Sequence, residues 1–476
     1  MKRIGIVQYV TYNIYWLGLN MATGTLTTII LPYLVSLFVP EAVKGTALGA
    51  LRSAGLIVAI IVQPTAGLFS DRSTLRWGRR RPFIAVGTLL DLIFLAIIGL
   101  SQNYWVLLAG VLLLQSASNV AHGALQGIIP DLVPEDQRGR ASGVKALMEL
   151  LPVVLTAFTT ARLVGAGHVW AAILVVMGSL LVTMLITVLT VHEQSLRETV
   201  KEPISPALKR IALLTLIFVA VTSALGGLVG LVGRVLAGGP LQLVGVGLAG
   251  LVAMAGAIFL GVWWSTRVGI GEGARKYPSF TWWVINRLLF LAAVGSIQGF
   301  AQYFLQDVLR IPNAPAATGD LMMVVGIATL LSAVPSGWLA DKFGRKPLLI
   351  AAGVIAAIGT FALFFADNMT LVTICGVIIG LGTGIFVSVN WALGTDLVPS
   401  AEAGRYLGVS NLAGAGAGIV GAGIGGPMAD FFNAYRVGLG YLVIFAIYGA
   451  LFLLSSVTLL KVHPAAQTRT PDAAAP

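Results

Sequence analysis

Charge is scarce in this sequence. Only 10% of its 476 residues are Asp, Glu, Lys or Arg, against about a quarter in a soluble domain, so most of the chain cannot face water. Cysteine is nearly absent. Cys375 stands alone inside an apolar run, which excludes a disulfide framework and a thiolate metal site. No His/Cys cluster has metal-ligand spacing, and no metal is expected. No Gly-x-x-x-x-Gly-Lys-Ser/Thr loop occurs, so nothing points to direct drive by ATP. No catalytic constellation appears either; the chain reads as a non-enzyme that needs no cofactor.

Apolar residues are abundant, at 57%. They form repeated runs of about 20 residues or more, the length a helix needs to cross about 30 Å of hydrocarbon. The runs are continuous rather than alternating, which predicts helices and not barrel strands. The 57 glycines suit close helix packing in lipid. Six runs lie at about 8–38, 46–71, 82–101, 104–130, 138–162 and 168–191. A polar linker, 192–210, precedes two more at 211–233 and 240–263. A shorter linker, 264–279, leads to the last six, at 280–308, 318–340, 347–366, 370–396, 403–430 and 436–460. The expected organisation is therefore an N-terminal six-helix bundle (1–191), a central segment with two inserted helices (192–279) and a C-terminal six-helix bundle (280–460). A Pro/Ala/Thr-rich tail (461–476) reads as disordered and cytoplasmic. Met1-Lys2-Arg3 followed by a long run reads as an uncleaved first helix.

The net charge of +11 is a matter of topology. With the amino terminus inside, 22 of the 30 Lys and Arg fall in inner segments, five in outer segments and three within runs. That bias orients the chain in a cell membrane with both termini cytoplasmic. It leaves no reason to invoke nucleic acid.

Five arginines crowd between Asp71 and Pro82, in a segment that opens at Gly67. A shorter copy spans Gly337 to Pro347. Downstream, Asp131-Leu-Val-Pro with Gly139, Arg140, Gly143 and Val144 repeats as Asp396-Leu-Val-Pro with Gly404, Arg405, Gly408 and Val409, each at an offset of 265. The two six-helix halves are thus parallel repeats. The inserted pair preserves their common orientation, giving an all-α membrane protein of fourteen helices.

Parallel six-helix halves with a site between them resemble the major facilitator superfamily. The loop Gly67, Asp71, Arg72, Gly78, Arg79, Arg80 and its copy Gly337, Asp341, Lys342, Gly344, Arg345, Lys346 resemble that family's gating motif. Val62-Gln63-Pro64, Ser70-Asp71-Arg72 and Gly78-Arg-Arg-Arg-Pro-Phe-Ile84 are similar to the sucrose–proton symporter and glycoside-transporter branch. The resemblance implies a monomeric secondary transporter working by alternating access, with proton-coupled sugar or glycoside uptake. Asn119 and Gly123 match the plant members' fourth helix, but Gln126 stands where they carry arginine. Fourteen helices also recur among drug–proton antiporters, so a proton-driven exporter of amphipathic drugs or lipid-like compounds is the alternative.

In this superfamily the first and fourth helices of each half line the cavity. Here they carry Tyr12, Asn13 and Asn20; Asn119 and Gln126; Gln298 and Gln302; Asn390 and Trp391. Amides can bond sugar hydroxyls and aromatic faces can stack on sugar rings, although Trp and Tyr near helix ends also form interfacial belts. Ionisable residues inside apolar runs are the proton-coupling candidates: Asp91, His122 and Glu149. Each has a structural alternative. Asp91 reads equally as a hydrogen-bonded packing residue, His122 as a satisfied interior histidine and Glu149 as the partner of Lys145 one turn away. Arg52 is expected to snorkel outward. Asp320 is expected to cap a helix start. Arg287 is expected to snorkel, to pair with the second hinge or to touch substrate. The glycine series from Gly414 to Gly426 predicts close helix packing.

Overall fold

The computed structural model describes residues 4–134, 137–193, 204–271, 273–398 and 403–463. The expected tail from residue 464 and most of the first linker, 194–203, lie outside these. Thirteen helices among the described residues are long and apolar enough to cross a membrane. They are α1 (Ile6–Phe38), α2 (Glu41–Asp71), α3 (Arg81–Gly99), α4 (Tyr104–Leu132), α5 (Arg138–Gly165), α6 (Val169–Thr190), α7 (Ser205–Val235), α8 (Gln242–Ile270), α9 (Pro278–Asp307), α10 (Ala314–Phe343), α11 (Arg345–Phe365), α12 (Met369–Asp396) and α14 (Leu439–Lys461). A fourteenth, α13 (Ala403–Asn433), is equally long.

The duplication seen in the sequence is also a duplication of packing. In the first half α2 and α3 pack on α4, and α1 packs on α5 and α6. In the second half α10 and α11 pack on α12, and α9 packs on α13 and α14. The two most extensive contacts between the halves are α2 with α13 and α5 with α10, and they are equivalents of one another under the repeat. All four of these helices contain an interior proline: Pro64, Pro427, Pro152 and Pro335. Each removes one backbone hydrogen bond and permits a bend. The inserted pair α7–α8 packs on itself and against α13, α9 and α2.

The glycines of α13 serve close approach, as expected. A methyl group at Gly426 would strike the Gly45 carbonyl, and one at Gly49 would strike the Ala422 carbonyl. Backbone therefore meets backbone where α2 crosses α13. Asp430 completes the contact by accepting from the Gly45 and Thr46 amides at 2.9 and 2.6 Å. It caps α2 from the opposite half, where the helix dipole favours a carboxylate.

Gly49→Val should destabilise the protein by about 1–3 kcal/mol, as overpacking does. In thermal unfolding of the purified protein its midpoint should fall by about several degrees. Gly178→Val, with no atom within 4 Å of the added carbon, should leave the midpoint nearly unchanged.

Candidate functional site

The two hinges are ordered networks of charge. Arg80, only 5% exposed, reaches Asp71 at 2.5 Å and Asp131 at 2.9 Å. It also donates to the Ser70 hydroxyl and lies over Gly127, where any side chain would collide with its guanidinium. Arg79 joins Asp131 from the other side. The ends of α2 and α4 are thus riveted by one buried arginine. In the second half Arg345 pairs with Asp396, and both residues are 265 positions beyond Arg80 and Asp131. The ion pair itself is duplicated. Gly78 and Gly344 adopt φ of +103° and +88°, a region that favours glycine.

What fastens each hinge to its last helix differs. After α6, the Glu193 carboxylate accepts the Arg79 and Arg80 amides at 2.9 and 2.7 Å. Burial pushes its pKa up, against the opposing pull of those hydrogen bonds and of Arg80. After α14, Lys346 instead donates to the Val462 carbonyl at 2.9 Å. Glu193 carried no signal beyond being an acid just past an apolar run.

At the opposite, far end, the halves are locked together. Lys44 of α2 lies 2.7 Å from Asp307 of α9, with both side chains 4% exposed. The Tyr303 ring lies 5.0 Å from the same ammonium. Tyr303 donates to the Pro32 carbonyl at 2.9 Å. Arg162 and Asp320 pair at 2.7 Å on the surface. Asp320 is therefore a cross-half partner and not a helix cap; Asn313 caps α10. Arg52 does not snorkel. It crosses to α9, donates to the Gly295 carbonyl at 3.0 Å and lies against Gly299.

Gln302 explains a local irregularity. α1 contains a π-helical turn, Leu26–Ile30, followed by Pro32. Proline has no amide hydrogen to give the Thr28 carbonyl. Oriented to suit its neighbours, the Gln302 amide donates to Thr28 and Ile29 carbonyls at 3.3 and 3.1 Å and accepts from the Tyr33 amide at 3.3 Å. In this arrangement Gln302 completes the backbone of α1 and is 1% exposed.

Between the halves lies a cavity of about 300 Å³, at the lower end of the usual range for small-molecule sites. Asn20, Glu149, Thr156, Gln298, Thr329 and Thr383 contribute to its wall. Asn20 and Gln298 were expected there. Two side-chain clusters flank it toward the hinge end. In the first half, Lys145 pairs with Glu149 at 3.0 Å and lies 4.1 Å from the Trp16 ring. The Trp16 ring meets His122 edge-on at 5.2 Å, and His122 is 3.4 Å from the Gln126 amide. In the second half, Arg287 donates to Asn390 at 3.0 Å, Asn390 to Asn286 at 3.1 Å, and Asn286 to the Ser455 carbonyl at 2.9 Å. Gln126 and Trp391 are equivalent under the 265 offset, so the clusters sit at matching depth.

The remaining candidates serve helix packing here. Asn13 donates to the Tyr9 and Ala141 carbonyls and is fully buried. Asn119 donates to Gln115, and Tyr12 is buried. Asp91 is 1% exposed, and neither carboxyl oxygen makes a close hydrogen bond.

The sequence profile of the Major Facilitator Superfamily matches residues 16–306 and 285–475. The sucrose transport protein SUC3 of Arabidopsis thaliana is 34% identical over 115 residues, 20% of this chain and 19% of that protein. Myo-inositol transporter 2 of Schizosaccharomyces pombe is 31% identical over 144 residues, 29% of this chain and 26% of that protein. The niacin transporter NiaP of Acinetobacter baylyi is 36% identical over 93 residues, 20% and 21% of the two chains. The chain thus aligns with about a fifth to a quarter of the length of these relatives. A solved mutant form of the nucleoside transporter NupG superposes with a TM-score of 0.68 at 13% identity, covering 95% of this chain and 99% of that one. A POT family transporter in complex with a thioalcohol-conjugated peptide gives 0.66 at 14% identity, covering 95% of each. At such identity these structures share the fold. With the family profile spanning nearly its whole length over a duplicated set of membrane-length helices, the chain belongs to the Major Facilitator Superfamily.

Proposed function

We propose that this multi-pass membrane protein is a monomeric secondary transporter of the cell membrane that takes up a sugar or glycoside with a proton by alternating access. The observation that carries this reading is the cavity between the halves, where the amides of Asn20 and Gln298 and the hydroxyls of Thr156, Thr329 and Thr383 stand among apolar wall residues such as Leu150, Val153 and Met322, capped at one end by cross-half contacts. Amides and hydroxyls suit a polyhydroxylated solute. The sucrose and inositol transporters among the relatives support the same class. The excess of Lys and Arg at the hinge end supports cytoplasmic termini. On that orientation the Lys44–Asp307 pair and the α2–α13 crossing seal the outside, and this conformation is the outward-closed one.

Glu149 is the proton site in this reading. It lies in the cavity wall, and its bond to Lys145 can be exchanged for a proton when Lys145 turns to a ligand. Asp91 is enclosed within its own bundle, facing Ser118 and the Tyr15–Thr88 hydrogen bond. It acts as a neutral packing group, since an unpaired charge there carries a high desolvation cost.

Proteoliposomes with an imposed pH gradient should accumulate a labelled sugar or glycoside. Glu149→Gln should abolish accumulation and retain sugar exchange, while Asp91→Asn retains both. Accumulation by Glu149→Gln would move the proton site elsewhere. Drug resistance without sugar flux would favour export. For the outer seal, Lys44→Met should loosen the closed form by about 1–2 kcal/mol, a factor of roughly 5–30 in population. With Ser53→Cys in a Cys375→Ala background, labelling by an impermeant maleimide from outside should accelerate correspondingly.

A further inference from the structure

Among the described residues, Arg287 has no carboxylate partner. The acids in the described helices of the second half are committed elsewhere: Asp307 to Lys44, Asp320 to Arg162, Asp396 to Arg345 and Asp430 to the amides of α2. Asp341 is exposed at the hinge, and Asp367 is exposed beside Asn368. Among the described residues no carboxylate pairs with Arg287. An ionisable group at this depth normally faces a partner.

The surroundings hold the guanidinium in place without neutralising it. Asn390, itself fully buried, accepts one N–H. Trp391 and Trp283 present their rings at 4.9 and 5.9 Å. Trp283 is fixed by its bond to the Asn390 carbonyl at 3.0 Å. Nε remains without a partner. Rings and an amide orient a guanidinium fork and leave donors unused, and such a fork suits a carboxylate.

Its direction follows from helix geometry. Arg287 and Gln298 are eleven residues apart, about three turns, and so share one face of α9. Gln298 lines the cavity between the halves. Asn390 and Thr383 are seven apart, about two turns, and share a face of α12 in the same way; Thr383 lines the same cavity. On the opposite wall Lys145 and Glu149 neutralise one another. With Lys145 paired to Glu149, the two clusters that flank the cavity leave one positive charge unanswered among the described residues, that of Arg287, about 16 Å along α9 from Gln298.

We propose that Arg287, held by Trp283, Trp391 and Asn390, is the anion subsite of the transported solute, which makes that solute an acidic sugar or a glycoside bearing a carboxylate. This rests on the sugar-transport reading, and the test separates the two. Two matched pairs of probes are used on the purified full-length protein, with binding followed by calorimetry: 4-nitrophenyl β-D-glucuronide against the corresponding glucoside, and benzoate against benzamide.

Wild type should bind the glucuronide at least about tenfold more tightly than the glucoside. Arg287→Gln should reduce that preference to within about twofold while still binding the glucoside, and Arg287→Lys should keep part of it. Equal binding of both glycosides by wild type, or an undiminished preference in a folded Arg287→Gln, overturns the proposal. If neither glycoside binds but benzoate is preferred over benzamide through Arg287, the anion subsite stands and the sugar reading falls. If neither pair is discriminated, the subsite falls.

Discussion

The meeting of α2 and α13 at bare backbone is the contact on which the rest depends. Gly45 and Gly49 face Ala422 and Gly426 with no side chain between them. That approach brings the start of α2 within reach of Asp430, and it brings Lys44 against Asp307. A larger residue at any of these glycines would lift the helices apart and strand two carboxylates and an ammonium in a poorly hydrated place, where an unpaired charge is costly. Close packing and charge pairing thus depend on one another at the far end. A contact built this way is made or broken as a unit, which is what a gate requires.

Each half, by contrast, is held rigid by charges that stay within it. Arg80 with Asp71 and Asp131, and Arg345 with Asp396, tie the loop after one helix to the end of another. None of these bonds crosses to the other half. Under the proposed alternating access, rocking of the halves would leave them intact while the far-end contacts change. Gln302 and Arg52 belong to the second group: both reach from one half to backbone carbonyls of the other. Their polar ends would be released into the cavity when the far end opens.

Much of this was legible in the sequence. Fourteen runs, the duplicated hinge and the 265-residue repeat are written in local composition and spacing, and the helices and their parallel packing follow them. The glycine series of α13 was legible too, because close packing needs glycine whatever the partner. What escaped were pairings across large separations. Arg52 looked like a snorkelling residue because a sequence cannot show Gly295 beside it. Asp320 looked like a cap because Arg162 is 158 positions away. Gln302 looked like a sugar ligand because the π turn that it completes is invisible in the pattern of α1. The one available hint was position: Asp307 and Asp430 lie at the last residues of apolar runs, and Lys44 stands two residues before the run at 46–71.

The most direct test of this gating scheme measures both ends of the molecule at once. Spin labels at Glu41 and Arg436 span the far end, and labels at Arg76 and Phe343 span the hinge end, in a Cys375→Ala background. Distance distributions should be recorded without ligand and with sugar at acidic pH. Alternating access predicts that the far-end distance lengthens as the hinge-end distance shortens. Two distances that stay fixed, or that change in the same sense, would contradict rocking about the α2–α13 and α5–α10 contacts.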